Sequence, residues 1–205
     1  MSWGAFTADG GKGSGNFGHA GRPGKVGGSA SFSSTAEAIA YVEDNIREDA
    51  LETAFAVDGN GNIVFNRSDD AEDYVIIPDE DKPKLKNAVF THNHPRGTTF
   101  SGMDLSAAYD GMIKEIRACS KDITYSLKRQ FSVKQAIPSH YANFANDYTA
   151  AVKHYNESVT DPLWDKGPKT QALADKLNNM VETYKREWLK GNAKSYGWKY
   201  TEETK

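Results

Sequence analysis

Residues 87–108 read NAVFTHNHPRGTTFSGMDLSAA, a stretch that predicts a buried strand, a polar loop and the start of a helix. Residues 87–92 form a compact apolar run before polar residues, which is typical of a buried strand. Pro95 cannot donate to a strand ladder, so the strand should end at His94. We predict a helix over residues 102–118. Its apolar stripe would consist of Leu105, Ala108, Tyr109, Met112 and Ile116.

The two histidines of this stretch have the spacing of metal ligands. His92 and His94 are two residues apart, so both imidazoles point to the same side of an extended strand and can reach one ion. Asp104 falls in the first turn of the predicted helix and can project back over the end of the strand. Two histidines and one carboxylate, with a fourth position left to water, are typical of a catalytic zinc site. We therefore predict a Zn²⁺ ion bound by His92, His94 and Asp104.

A hydrolytic zinc site also needs a general base and a group that stabilises the oxyanion. Glu52 opens a predicted strand and is the first candidate for the base, and Glu48 is the second. Ser101 stands at the start of the predicted helix, where its hydroxyl could help to hold an oxyanion. Ser101 and Asp104 also have the pattern of a helix cap, and that role does not exclude the catalytic one.

This constellation resembles the motif of the JAMM (JAB/MPN) zinc metalloproteases, whose pattern is an upstream glutamate, then H-x-H-P, then S-x-x-D. It is most similar to the RadC-type bacterial members, and the resemblance covers about residues 34–130. The resemblance implies that His92, His94 and Asp104 are zinc ligands. It also implies that Glu52 is the general acid/base and that Ser101 assists at the oxyanion. The nine residues between His94 and Asp104 are one fewer than is usual in the family.

The rest of the chain predicts an α/β (α+β) fold with a mixed central sheet flanked by helices, JAB/MPN-like by the resemblance, and a helical C-terminal extension. Ser34 and Glu37 have the spacing of a capping box, so a helix should follow them. The other predicted elements are a hairpin over 53–66, strands over 74–78 and 122–129, a helical turn over 83–86, helices over 139–156 and 168–190, and a polar, aromatic tail, SYGWKYTEETK.

We predict three parts along the chain. Residues 1–32 form a flexible glycine-rich leader, because the first 30 residues hold 10 of the 18 glycines and offer little apolar surface to bury. Residues 33–132 form the JAMM-like catalytic domain, and residues 133–205 form the helical C-terminal extension. The leader resembles glycine-rich segments of phage and prophage structural proteins, which suggests a phage partner or virion association. Gly27-Gly28-Ser29 is either a processing site or an unprocessed linker.

The composition limits the class of protein. A chain of 205 residues with 38% hydrophobic residues can bury the core of one ordinary domain. Cys119 is the only cysteine, which excludes a disulfide framework and a zinc site or zinc deaminase built on several cysteines. We expect a reducing compartment, most simply a cytoplasm. No apolar run approaches the length of a membrane span, and the first residues lack the pattern of a secretory signal.

The predicted function is zinc-dependent hydrolysis of an amide bond in a protein or peptide, which could carry a Gly-Gly tail. One alternative is a non-catalytic JAB-like binding module of a phage or prophage protein, which the shortened loop favours. Another is a metal-independent nuclease-type effector that uses His92 and His94 as acid and base. Residues 37–82 hold 14 acidic and three basic residues, and phosphate binding needs clustered positive charge, so we do not expect nucleic acid as a partner.

The remaining histidines and aromatics carry weaker signals. His19 should be solvent exposed, and His140 and His154 should be surface or partly buried residues of the C-terminal helices. Four C-terminal aromatics recur at helical spacing, which indicates core packing or, as the alternative, a groove for a partner. They are Tyr141, Phe144, Tyr148 and Tyr155.

Overall fold

A computed structural model of the chain describes residues 32–130, 138–166 and 169–205. Within these residues it contains five α-helices, one 3₁₀ turn and six strands. In chain order they are α1 (Thr35–Ile46), β1 (Thr53–Val57), β2 (Ile63–Ser68), α2 (Lys82–Leu85), β3 (Val89–Asn93), α3 (Gly102–Asp110), β4 (Glu115–Cys119), β5 (Ile123–Arg129), α4 (Pro138–Lys166), α5 (Gln171–Asn192), the 3₁₀ turn (Ala193–Tyr196) and β6 (Trp198–Thr204).

The six strands form one mixed sheet in the order β2-β1-β3-β4-β5-β6. β3 and β4 are parallel, and every other neighbouring pair is antiparallel. β3 therefore lies inside the sheet, between β1 and β4, and all five of its residues are buried. The predicted mixed sheet flanked by helices is confirmed.

Helices cover both faces of the sheet, and the alternation of strand residues decides which side chain meets which helix. On one face, α1 packs Val42 and Ile46 over Phe55 and Val57 of β1. The opposite face carries α3, α4 and α5. Its buried core includes Ala54, Phe90, Leu105, Ile116, Ala118, Leu127, Phe144, Tyr148, Leu189 and Trp198. His92 alternates in step with Phe90, so its imidazole lies on this second face.

A buried ion-pair network fastens α1 to the first face. Glu43 is 4% exposed and accepts hydrogen bonds from the Thr91 hydroxyl (2.9 Å) and from Arg117 Nε (2.6 Å). Arg117 also pairs with Glu115 at 3.0 Å. Since a buried charge without a partner is costly, this network holds α1 in one register over β3 and β4.

The helix predicted over residues 102–118 is wrong in its second half. α3 ends at Asp110, Met112 has a left-handed backbone (φ 48°), and β4 begins at Glu115. Met112 and Ile116 are four residues apart, which mimics a helical stripe, but Met112 is 42% exposed and Ile113 is buried instead. The turn at Gly111 and Met112 allows Ile116 and Ala118 to alternate into the core from a strand.

Two further sequence predictions are corrected. Residues 74–78 form no strand; Tyr74 and Ile76 are each 46% exposed, and the Ile76 amide donates to the Asp69 carboxylate rather than to a neighbouring strand. The predicted polar tail contains β6, which pairs with β5 along its whole length. The C-terminal segment therefore contributes a strand to the central sheet as well as two helices.

Other predicted elements are confirmed. Ser34 caps α1 by accepting the Glu37 amide, and β1 and β2 form the predicted hairpin. The leader over residues 1–31, His19, Gly27-Gly28-Ser29 and the predicted boundary at 132/133 lie outside the described residues. Among the described helices, none combines the length and the apolar character that a membrane span requires.

Candidate metal centre

His92 and His94 meet at the carboxyl end of β3. Both are buried, and their Nε2 atoms lie 2.8 Å apart. His92 stands between Ala54 of β1 and Ala118 of β4 in the sheet register. These small neighbours leave space over the strand for the imidazole. Since the two residues are at i and i+2, both rings lie on the second face of the sheet, as the sequence predicted.

The outer nitrogen of His94 is held by the backbone. His94 Nδ1 lies 2.7 Å from the carbonyl oxygen of Thr98. Because a carbonyl can only accept, Nδ1 carries the proton, and the lone pair of the neutral imidazole is on Nε2. His94 Nε2 is therefore unprotonated, as a metal ligand requires, and it faces His92 Nε2.

Asp104 approaches the same point from the first turn of α3. Its Oδ1 lies 3.2 Å from His92 Nε2, and its Oδ2 lies 3.8 Å from His94 Nε2. Oδ2 also accepts hydrogen bonds from the amide (2.6 Å) and the hydroxyl (2.8 Å) of Ser101. The shorter loop between His94 and α3 thus still brings the Asp104 carboxylate against both imidazoles.

Ser101 caps α3 and orients Asp104. Its hydroxyl accepts the Asp104 amide at 3.2 Å and donates to the Asp104 carboxylate, which completes a capping box. The hydroxyl proton is therefore directed at Asp104. Ser101 therefore contacts Asp104, which in turn contacts His92. Its role as the helix cap is the one that the S-x-x-D pattern predicted.

Glu52 faces the cluster from the chain that leads into β1. Its side chain shares the second face with Ala54, which pairs with His92, so the register brings Glu52 beside His94. One carboxylate oxygen of Glu52 and one nitrogen each of His92 and His94 all lie within 4.8 Å of one another. Glu52 is 5% exposed, whereas Glu48, the other sequence candidate, is exposed in the turn after α1.

The four side chains have strongly coupled charges. Burial raises the pKa of Glu52 to about 7, against the opposing charge of His92. Burial would lower the pKa of His92, but the Asp104 carboxylate holds it above its ordinary value. Burial and the neighbouring His92 lower the pKa of His94 to about 4. Burial opposes ionisation of Asp104, yet His92 keeps its pKa well below the usual range.

Asn93 is a site residue that the sequence did not predict. Its side chain is on the first face, away from the histidines. Its Oδ1 accepts the Thr53 amide (2.7 Å), and its Nδ2 donates to the carbonyls of Asp49 (3.0 Å) and Leu51 (3.1 Å). Asn93 thus ties the chain on both sides of Glu52 to the strand that carries both histidines.

The donor set could hold a metal ion. Two imidazole nitrogens and a carboxylate are the ligands of many catalytic zinc sites, and ligating groups usually have outer hydrogen bonds that orient them. His94 has such a bond through Thr98, and Asp104 has two through Ser101. The compact group of Glu52, His92 and His94 could also hold a metal ion, with Glu52 as the third ligand.

The sequence predicted core packing for four C-terminal aromatics. Phe144 and Tyr148 are in the core, which confirms core packing for these two. Tyr155 stacks on Tyr184 of α5 with ring centroids 4.1 Å apart. His154 is exposed on α4, and the side chains of His140 and Tyr141 lie outside the described part of the chain.

Comparison of the chain with models of protein families, with curated proteins and with solved structures finds no match. We therefore infer the function of the site from its own geometry and chemistry.

Proposed function

We propose that the protein is a zinc-dependent peptidase or isopeptidase of the JAMM (JAB/MPN) type. The observation that carries the proposal is the meeting of His92, His94 and Asp104 at one point, with the Glu52 carboxylate beside it. Four residues from β3, α3 and the chain before β1 converge although they are up to 52 positions apart. A helix cap alone would explain Ser101 and Asp104, but it would not bring two buried imidazoles against the same carboxylate.

The proposed ligands are His92, His94 and Asp104. Asp104 is the preferred third ligand because Ser101 holds its Oδ2, which leaves Oδ1 directed at His92. A bound zinc ion would lower the pKa of a water molecule to about 7 and polarise the substrate carbonyl. With Asp104 as the third ligand, the Glu52 carboxylate beside the histidines is left for proton transfer.

The proposed chemistry of the protein groups has two proton steps. Glu52 accepts a proton from the attacking water at its carboxylate, and it later returns that proton to the leaving amine. The products are a carboxylic acid and an amine, so water supplies the atoms that the broken amide bond requires. The Ser101 hydroxyl donates to the Asp104 carboxylate and keeps it in place. We assign Ser101 only a secondary part in stabilising the oxyanion. The substrate would be a protein or peptide, and one candidate class is proteins that carry a Gly-Gly tail.

Hydrolysis of peptide and isopeptide bonds tests this proposal. The zinc-loaded protein is incubated with mixed peptides and with lysine-linked isopeptides, and new termini are detected by mass spectrometry. Cleavage should need zinc, stop with a chelator, and fall at least about a hundredfold in Glu52→Gln, since general acid–base catalysis contributes roughly 10²–10⁴-fold. Glu48→Gln, at the exposed neighbouring glutamate, should cleave like the wild type.

The alternatives give different results in the same assay. Cleavage of RNA or DNA that survives the chelator would favour the metal-free nuclease. A folded, zinc-loaded protein that hydrolyses neither bond type and retains bound peptide would favour the binding module.

A further inference from the structure

Four elements, β5, α4, α5 and β6, contact the segment 95–101, which joins His94 to α3 and is called the ligand loop below. Each contributes one hydrogen bond to Gly97, Thr99 or Phe100 of the loop. Tyr125 of β5 donates to the Gly97 carbonyl (3.2 Å), and Tyr148 of α4 donates to the Phe100 carbonyl (2.6 Å). Between them, Glu182 of α5 accepts a hydrogen bond from the Thr99 amide (3.0 Å), and the Tyr200 hydroxyl of β6 bonds the Thr99 hydroxyl (3.3 Å).

The bond from Glu182 falls on the peptide unit that orients a proposed zinc ligand. The Thr99 amide and the Thr98 carbonyl belong to the same planar peptide. The carbonyl accepts from His94 Nδ1 at 2.7 Å, and the amide donates to Glu182 Oε2 at 3.0 Å. A chain of hydrogen bonds therefore runs from the Glu182 carboxylate through the Thr98–Thr99 peptide to the His94 imidazole. The other side of that imidazole faces His92 and Asp104.

The carboxylate of Glu182 is partly buried. Its side chain is 21% exposed, and its other oxygen pairs with Lys185, which is 15% exposed. A charged acceptor shortens and strengthens a hydrogen bond, and it polarises the next bond in the chain. The Thr98 carbonyl should therefore be a stronger acceptor for His94 than a carbonyl whose peptide amide faces water.

We propose that Glu182 is a positioning residue of the metal centre, which acts on His94 through the Thr98–Thr99 peptide. This inference rests on the zinc site of the proposed function. It assigns the C-terminal helices and β6 a part in metal binding, in addition to their part in the core. Outer partners of metal-bound histidines typically change metal affinity by about 10–100-fold, which gives the size of the expected effect.

The experiment measures zinc affinity of the full chain by competition with a chromophoric chelator. Glu182→Ala removes the acceptor and should raise the zinc dissociation constant by at least about tenfold. Glu182→Gln keeps a neutral acceptor for the Thr99 amide, so its dissociation constant should lie between those of the wild type and Glu182→Ala. Glu187→Ala, at an exposed glutamate of the same helix, should bind zinc like the wild type.

A purely structural role for Glu182 would change the unfolding temperature without changing the site. The absorption spectrum of the cobalt-loaded protein distinguishes the two, because its band positions and intensities follow the geometry of the ligands. We expect an altered cobalt spectrum in Glu182→Ala and a wild-type spectrum in Glu187→Ala. Glu182→Gln provides the second variant if Glu182→Ala does not fold, because it keeps the shape of the side chain and removes only the charge of the acceptor.

The outcomes separate this inference from the proposed function. If the wild type binds zinc, and Glu182→Ala (or Glu182→Gln, where the alanine variant does not fold) binds it within twofold with an unchanged cobalt spectrum, the positioning role is wrong and the zinc site stands. If the wild type binds no zinc, the proposed function and the positioning role both fail.

Discussion

At the scale of single residues, Asn93 joins the two halves of the site. Its three side-chain hydrogen bonds reach Asp49, Leu51 and Thr53, while its neighbours His92 and His94 face the other way. The side chain is fully buried. Asn93 thus sets the position of Glu52 without touching the point where the histidines and Asp104 meet.

Asn93→Ala should loosen the chain on both sides of Glu52 and leave zinc binding unchanged. Loss of three buried hydrogen bonds should cost about 1.5–4.5 kcal/mol of unfolding free energy. The zinc content should remain that of the wild type, whereas the Thr53 amide should exchange with solvent faster in hydrogen-exchange mass spectrometry. Asn45→Ala, at an exposed asparagine of α1, is the matched control and should change neither quantity. Unchanged exchange at Thr53 in Asn93→Ala would contradict this role.

The site residues differ in how far the sequence could predict them. His92, His94 and Asp104 lie within 13 consecutive residues, so their spacing alone indicated a shared ligand site. Glu52 could be proposed only by assuming which strand lies beside β3. Asn93 was missed because its partners are about 40 positions away and an asparagine between two histidines has no local pattern that points to them.

At the scale of elements, α5 and β6 are joined by a charged pair. Arg186 Nε and Nη2 donate to the two carboxylate oxygens of Glu202 at 3.0 and 2.6 Å. These hydrogen bonds lower the pKa of Glu202 from its ordinary 4.5 to about 2. The pair therefore favours the folded state when Glu202 is ionised.

This shift fixes the pH range over which the pair stabilises the fold. A carboxyl whose pKa is lower in the folded state contributes stability above its unfolded pKa and loses it as the pH falls through its folded pKa. The contribution should be complete above about pH 4.5 and disappear towards pH 2. In thermal unfolding, Glu202→Gln should have a lower Tm than the wild type at pH 6, and the difference should shrink as the pH falls. A difference that is constant with pH would contradict this assignment.

Two of the elements that the sequence predicted wrongly, β4 and β6, share one physical cause. Met112 and Ile116 fit a helical period, while Ile116 and Ala118 fit a strand, and only pairing of β4 with β3 and β5 decides between them. β6 has few apolar residues, and its stability comes from the ladder with β5, which lies about 70 positions away. The hairpin and α1 were predictable because their turn and cap signals are local.

At the scale of the whole molecule, the C-terminal segment completes the core and the sheet. Trp198 is 2% exposed, packs near Phe144 and belongs to the same core as Ala54 and Phe90. β6 also covers the outer edge of β5. Residues 34–130 are therefore not independent of residues 138–205 in their packing.

A chain that ends at Asn192 tests this dependence. Loss of the buried Trp198 alone should cost about 3–5 kcal/mol, so the Tm should fall by at least about 6 °C. The full chain with Lys199→Ala, an exposed residue of β6, should unfold at the wild-type temperature. Unfolding of the shortened chain at the wild-type Tm would contradict a shared core.

The most direct test of the central claim is the zinc content of four purified proteins, measured by inductively coupled plasma mass spectrometry. They are the wild type, His92→Ala, Asp104→Ala and Glu52→Gln. We expect about one zinc per chain in the wild type and in Glu52→Gln, and loss of zinc in His92→Ala and Asp104→Ala. A wild type without zinc after zinc is supplied would contradict the metal site. Zinc lost in Glu52→Gln but kept in Asp104→Ala would contradict the assignment of ligand and base.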